Sequence, residues 1–129
     1  MGIEDIPEMI ITNRGFDNYT DTNILDSSRE PQGWRFIVME GPNNRFHVYI
    51  AKKSLHAAMF YFFKSQCRQV YQCDAPFNHV GGGFIIVDNE SIQFYGESES
   101  IGKYVREIVE PIAERWQKQN FPNHTIEFE

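Results

Sequence analysis

Short runs of β-forming residues alternate along the chain with two stretches whose apolar positions follow helical spacing. "WRFIVME", residues 34 to 40, is dense in β-branched and aromatic side chains and predicts a strand. "GPNN" joins two strong breakers and predicts a turn. In "RFHVYIA", residues 45 to 51, Phe46, Val48 and Ile50 fall on one face, and His47 and Tyr49 on the other. These two runs predict a hairpin or a neighbouring pair of strands. The period then changes. Across "KKSLHAAMFYFFKSQ", Leu55, Ala58, Met59, Phe62 and Phe63 form a helical stripe, with Ser54 at the N-cap position.

Downstream, "QVYQCDA" (residues 69 to 75) predicts a further strand and "PFNHVGG" a bend. "GFIIVD" predicts a strand, "DNE" a tight turn, and "SIQFYG" the next strand. Ile101, Tyr104, Val105, Ile108, Ile112 and Trp116 predict a second helix starting near Ser100. Pro111 lacks a backbone donor and predicts a kink or break at Glu110. "NFPNH" ends that helix, and "TIEFE" reads as a closing strand. The order β-β-α-β-β-β-α-β predicts an α+β fold: a single domain with a mixed sheet of about six strands flanked by two helices.

Residues 1 to 32 are polar and turn-rich and predict an N-terminal extension, partly ordered or flexible, ahead of a body spanning 33 to 129. Ile10-Ile11 and Ile24-Leu25 are the apolar pieces able to pin this arm to the body. Its runs are too short to predict strands.

Composition narrows the class. At 129 residues, 41% of them hydrophobic, the chain suits one globular domain, and its eleven phenylalanines predict a core or groove filled by rings. A net charge of -6 argues against a general nucleic-acid footprint. No apolar run is long enough to span a membrane, and the N-terminus lacks a secretion or myristoylation pattern. The expectation is a soluble, cytoplasmic protein. Cys67 and Cys73 have neither zinc spacing nor a disulfide framework around them, and read as reduced thiols.

His56 carries the strongest chemical signal. In the first turn of a helix capped by Ser54, the positive end of the dipole disfavours imidazolium, leaving a neutral ring able to accept a proton or attack phosphorus. The same free N–H groups favour a bound phosphate. The alternative is a helix histidine without a role. Gly81-Gly82-Gly83 matches neither a dinucleotide fingerprint nor a P-loop, and marks a bulge or the close approach of another backbone or ligand. "GESESIG", residues 96 to 102, leads into a helix start. There Ser98 and Ser100 offer hydroxyls for an anion, or Ser100 simply caps the helix. Glu97 and Glu99 with His47, His56, His79 and His124 supply metal-ligand chemistry without a metal-binding spacing, so no metal or other cofactor is expected.

In order and spacing, residues 33 to 128 resemble the phosphohistidine phosphatase (Janus) family. "GWRFIVM" is similar to its first core strand, with Arg35 where the phosphatases have lysine. "LHAAMF" resembles the segment carrying the family's catalytic histidine, which maps to His56. "VGGGFIIV" is similar to its Leu-Gly-Gly-Gly-Arg segment. "IQFYGESESIG" resembles a strand ending in Tyr-Gly followed by a phosphate-holding loop. The loop's serine maps to Ser98, and Ser100 falls where the family has a small residue. "KQNFPNHTIEF" resembles the family's ending.

The resemblance implies metal-independent hydrolysis of a phosphoramidate, phosphohistidine on a protein or peptide. His56 would be general base or nucleophile, with Arg35, Gly96, Ser98 and Ser100 around the phosphoryl group. The chain departs from the pattern in three places. Phe84 replaces an arginine, Glu97 and Glu99 replace an aromatic and an apolar residue, and the second helix is about a turn longer near Pro111. Each carboxylate would cost a bound dianion on the order of 1–4 kcal/mol unless paired or turned away. The alternative is a non-catalytic Janus-like module that binds a protein partner or cationic peptide through Glu97 and Glu99.

Overall fold

A computed structural model describes residues 2–12, 34–52, 55–87 and 90–129. Among these, six strands form one mixed sheet: Met9–Thr12 (β1), Trp34–Glu40 (β2), Phe46–Lys52 (β3), Asn78–Val87 (β4), Ser91–Tyr95 (β5) and Thr125–Phe128 (β6). Their order is β1-β3-β2-β4-β5-β6, and two helices, His56–Tyr71 (α1) and Arg106–Asn120 (α2), pack against the sheet. The four central strands pair antiparallel, while edge strands β1 and β6 run parallel to their neighbours. The α+β architecture is therefore the expected one.

Strand alternation decides which residues meet which helix. Phe36, Val38, Val48, Ile50, Ile85, Ile92 and Phe94 share a core with Val109, Ile112, Ala113 and Trp116 of α2. Ile37, Met39, Tyr49 and Ala51 turn the other way and meet Met59, Phe63 and Cys67 of α1. Fully burying one such large apolar side chain stabilises by roughly 1.5–3 kcal/mol. At the centre, the Phe36 ring meets Phe94 and Tyr104 edge-on, with centroids 5.1 Å away in each case.

Several local expectations need correction. The strand expected over 69 to 75 is absent: α1 continues to Tyr71, and Gln72 ends it in the left-handed conformation (φ 47). The Cys73 N–H then donates to the Cys67 carbonyl at 3.0 Å, which satisfies a terminal acceptor of the helix. The sixth strand is instead β1, where Ile10 and Ile11 are buried and pin the N-terminal segment to β3. Gly81-Gly82-Gly83 lies inside β4 rather than in a bend before it. The second helix starts at Arg106, not near Ser100, and is continuous through Pro111. The N-cap of α1 is Leu55, without a side-chain cap bond. Ser54, Ile24-Leu25 and the first two residues of the "DNE" turn lie outside the described residues. "GPNN" does connect β2 to β3 through a short 3-10 turn, Pro42–Asn44, with Asn43 and Asn44 left-handed.

The two faces of the sheet are covered unequally. On the face that carries α1, the helix lies over β2 and β3, whereas Phe84 and Ile86 of β4 and Gln93 and Tyr95 of β5 stay only partly buried. A cleft opens there, beside the first turn of α1.

Candidate functional site

The cleft has a volume of about 570 Å³ and is lined by Arg35, Leu55, His56, Ala57, Phe84, Tyr95, Glu97, Glu99 and Ser100. Four pieces of chain build it, from β2, the start of α1, β4, and β5 with its following loop, and the glycine triplet is what lets them meet.

His56 is the first residue of α1 and only 8% exposed. Its Nε2–H donates to the Gly83 carbonyl at 2.8 Å. With the proton on Nε2, the Nδ1 lone pair is the ring's available acceptor. The imidazole lies directly over β4: a Cβ added at Gly82 would stand 3.2 Å from His56 Cδ2 and 2.7 Å from the Phe36 carbonyl oxygen. Only glycine admits the ring at this height above the strand.

From the opposite side the loop between β5 and α2 lies along the same triplet. The Gly82 N–H donates to the Gly102 carbonyl at 3.1 Å. Gly81 takes φ +138, and a Cβ there would stand 2.6 Å from the Lys103 carbonyl oxygen. Gly96 (φ 73) and Gly102 (φ 94) bound the loop in left-handed conformations that favour glycine. Between them Ser98 and Gly102 exchange backbone bonds of 3.3 and 2.8 Å.

The two loop serines have different surroundings. Ser98, which the resemblance places on phosphate, is 1% exposed. Its Oγ accepts from the Ile101 N–H at 3.2 Å and lies 3.2 Å from Ser100 Oγ. Ser98 therefore holds the loop together from inside, and the exposed Ser100 is the one that lines the cleft. Gly96 shapes the loop next to Phe84, the ring that an added Cβ would approach at 2.9 Å.

Phe84 is the packing centre of the cleft. Its ring meets His56 edge-on at 5.3 Å and Tyr95 at 5.6 Å, and the Arg35 guanidinium lies 5.7 Å from its centroid. Arg35 and Phe84 are register partners on β2 and β4, which sets the cation beside the histidine. Where the resemblance implies a second cation, the site has an aromatic platform under the first.

The His56 pKa lies below the ordinary 6.5. Burial is the largest cause, and the positive charge of Arg35 acts in the same direction, against the bond to Gly83, which favours the protonated ring. Burial is thus the main cause that favours the neutral imidazole.

Leu55, Ala57, Phe84 and Tyr95 were not among the expected site residues, although strand parity places Phe84 and Tyr95 on the face of Arg35 once the register is known. Among the described residues no ion pair joins Arg35 to Glu97 or Glu99, and no cluster of three metal-ligating side chains forms. No helix among them is long and apolar enough to cross a membrane. No protein-family model matches the chain, and no curated protein matches it significantly.

Proposed function

We propose that this protein is a metal-independent phosphoramidate phosphatase acting on phosphohistidine in a protein or peptide. The observation that carries this reading is the single arrangement at His56: Nε2–H committed to the Gly83 carbonyl, a lowered pKa, and Arg35 lining the same cleft. A histidine fixed in this tautomer offers Nδ1 as a base that is unprotonated at neutral pH.

In the reaction, water attacks phosphorus and gives its proton to His56 Nδ1 while the P–N bond breaks. The electron pair of that bond leaves on the imidazole nitrogen of the substrate, which takes up a proton. Alternatively His56 forms the bond to phosphorus itself, and water then hydrolyses the phosphoenzyme. Arg35 neutralises phosphoryl charge, and its fork of donors suits two phosphate oxygens. Backbone N–H groups at the start of α1 and the Ser100 hydroxyl supply further donors.

The setting we assign is cytoplasmic, where the buried, unlinked Cys67 and Cys73 would remain reduced. Loss of the phosphohistidine signal in phosphorus NMR, at equal rates with and without chelator, supports the reading. Loss that requires added metal contradicts it. Quenching in alkaline denaturant, in which a P–N bond survives, separates the two roles of His56, because only the nucleophilic route leaves phosphate on the protein.

A further inference from the structure

The charge around the cleft suits a bare phosphate dianion poorly. Arg35 contributes one positive charge, and Glu97 and Glu99, both exposed, contribute two negative charges. Among the described residues neither carboxylate has an ion-pair partner. The loop does not turn them away, since both line the cleft together with the nine-tenths-buried His56. Reciprocal bonds between Ser98 and Gly102 hold the loop in this shape. A ligand satisfying the whole lining therefore combines an anionic group for Arg35 and His56 with positive charge a short distance away.

The remaining lining indicates the size of such a ligand. Leu55, 68% exposed, stands at the rim, and partly buried Phe84 and Tyr95 form an apolar wall. An exposed leucine beside a charged cleft gives a polypeptide something to cover that free phosphate does not.

We infer that Glu97 and Glu99 make the cleft selective for phosphorylated segments rich in lysine or arginine, the flanking cations pairing with the two carboxylates while the phosphoryl group reaches Arg35 and His56. This rests on the phosphatase reading for the chemistry, but the charge selection is separable from it. The same carboxylates repel small dianionic phosphate esters and acidic segments, so specificity comes from exclusion as well as attraction.

The test compares two phosphohistidine peptides of equal length, one flanked by lysines and one by glutamates. Turnover is measured with wild-type protein and with Glu97→Gln/Glu99→Gln, and binding with the unphosphorylated lysine-flanked peptide. Wild type should prefer the lysine peptide in kcat/KM by about tenfold, a preference that weakens with salt. In the double variant the ratio should fall close to one. Equal turnover of both peptides by wild type overturns the inference and leaves the phosphatase reading intact, and so does a preference that persists in the double variant. If neither peptide is hydrolysed, tighter binding of the lysine peptide to wild type than to the double variant sinks the phosphatase reading and upholds the selection. No turnover and no charge-dependent binding overturns both.

Discussion

The Nε2–H of His56 and the carbonyl oxygen of Gly83 stand 2.8 Å apart, tying the first residue of α1 to the middle of β4. This contact fixes the tautomer of the imidazole and depends on a strand with no side chain beneath the ring. Glycine at position 82 is thus a requirement of the site and of the sheet together.

Gly82→Ala tests that requirement. The new methyl would stand 2.7 Å from the Phe36 carbonyl oxygen and 3.2 Å from His56 Cδ2, so either β4 or the imidazole must shift. The expected cost is about 1–3 kcal/mol in urea denaturation, with displacement of the His56 resonances in NMR. A variant as stable as wild type, with unmoved resonances, would mean that the strand and ring are not in this contact.

Arg35→Met tests the electrostatic coupling inside the cleft. Burial is the main cause of the low His56 pKa, with Arg35 acting in the same sense. Removing the guanidinium should therefore raise the pKa read from the imidazole protons and move the acidic limb of the activity profile to higher pH. An unchanged or lowered His56 pKa would show that Arg35 does not act on the ring.

Stability should depend on pH through two histidines. His47 is fully buried: its Nδ1–H donates to the Pro7 carbonyl at 2.8 Å, and Nε2 is buried without a hydrogen-bond partner among the described residues. Burial is the largest cause lowering its pKa, as it is for His56. Below the ordinary value of 6.5 the unfolded chain binds more protons than the native protein, so stability falls as pH drops through 6.5 and keeps falling until the native rings also protonate. Urea midpoints taken between about pH 7.5 and about pH 5.5 should decrease, and decrease less in His56→Gln. Midpoints that rise toward acid would contradict the burial of these rings.

Tyr104 ties the end of the chain to the sheet. Its OH lies 2.6 Å from the Glu129 carbonyl oxygen and 3.2 Å from that of Phe94, and accepts from the Glu129 N–H at 3.1 Å. Tyr104→Phe should cost about 1 kcal/mol and speed hydrogen exchange in β6 without altering the pKa of His56. Unchanged exchange in β6 would show that the hydroxyl does not hold that strand.

What the sequence conveyed well was written in local periodicity. β2 was legible to the residue, and the stripe containing Met59 and Phe63 does face the sheet. What it hid depends on tertiary pairing. β1 has four residues, and only its parallel register with β3 makes it a strand. Val70 and Tyr71 favour strands by type, yet they complete the last turn of α1. Ile101 and Tyr104 have helical spacing, but Ile101 lies in a turn, Gly102 is left-handed, and the bridge from Lys103 to Gly82 holds the chain against β4 before the helix begins. The same distinction applies at the site. His56, Arg35 and Ser100 were legible as cleft residues, whereas the inward turn of Ser98 and the central place of Phe84 follow from loop closure and strand register.

The central claim is catalysis by His56, and the most direct measurement is phosphate release from a phosphohistidine peptide near neutral pH, comparing wild type with His56→Ala. Wild type should release phosphate at a rate that falls at least a hundredfold in the variant, as expected for loss of a catalytic base or nucleophile, with the fold of the variant confirmed by circular dichroism. Turnover undiminished in His56→Ala, or none from folded wild-type protein, would contradict it.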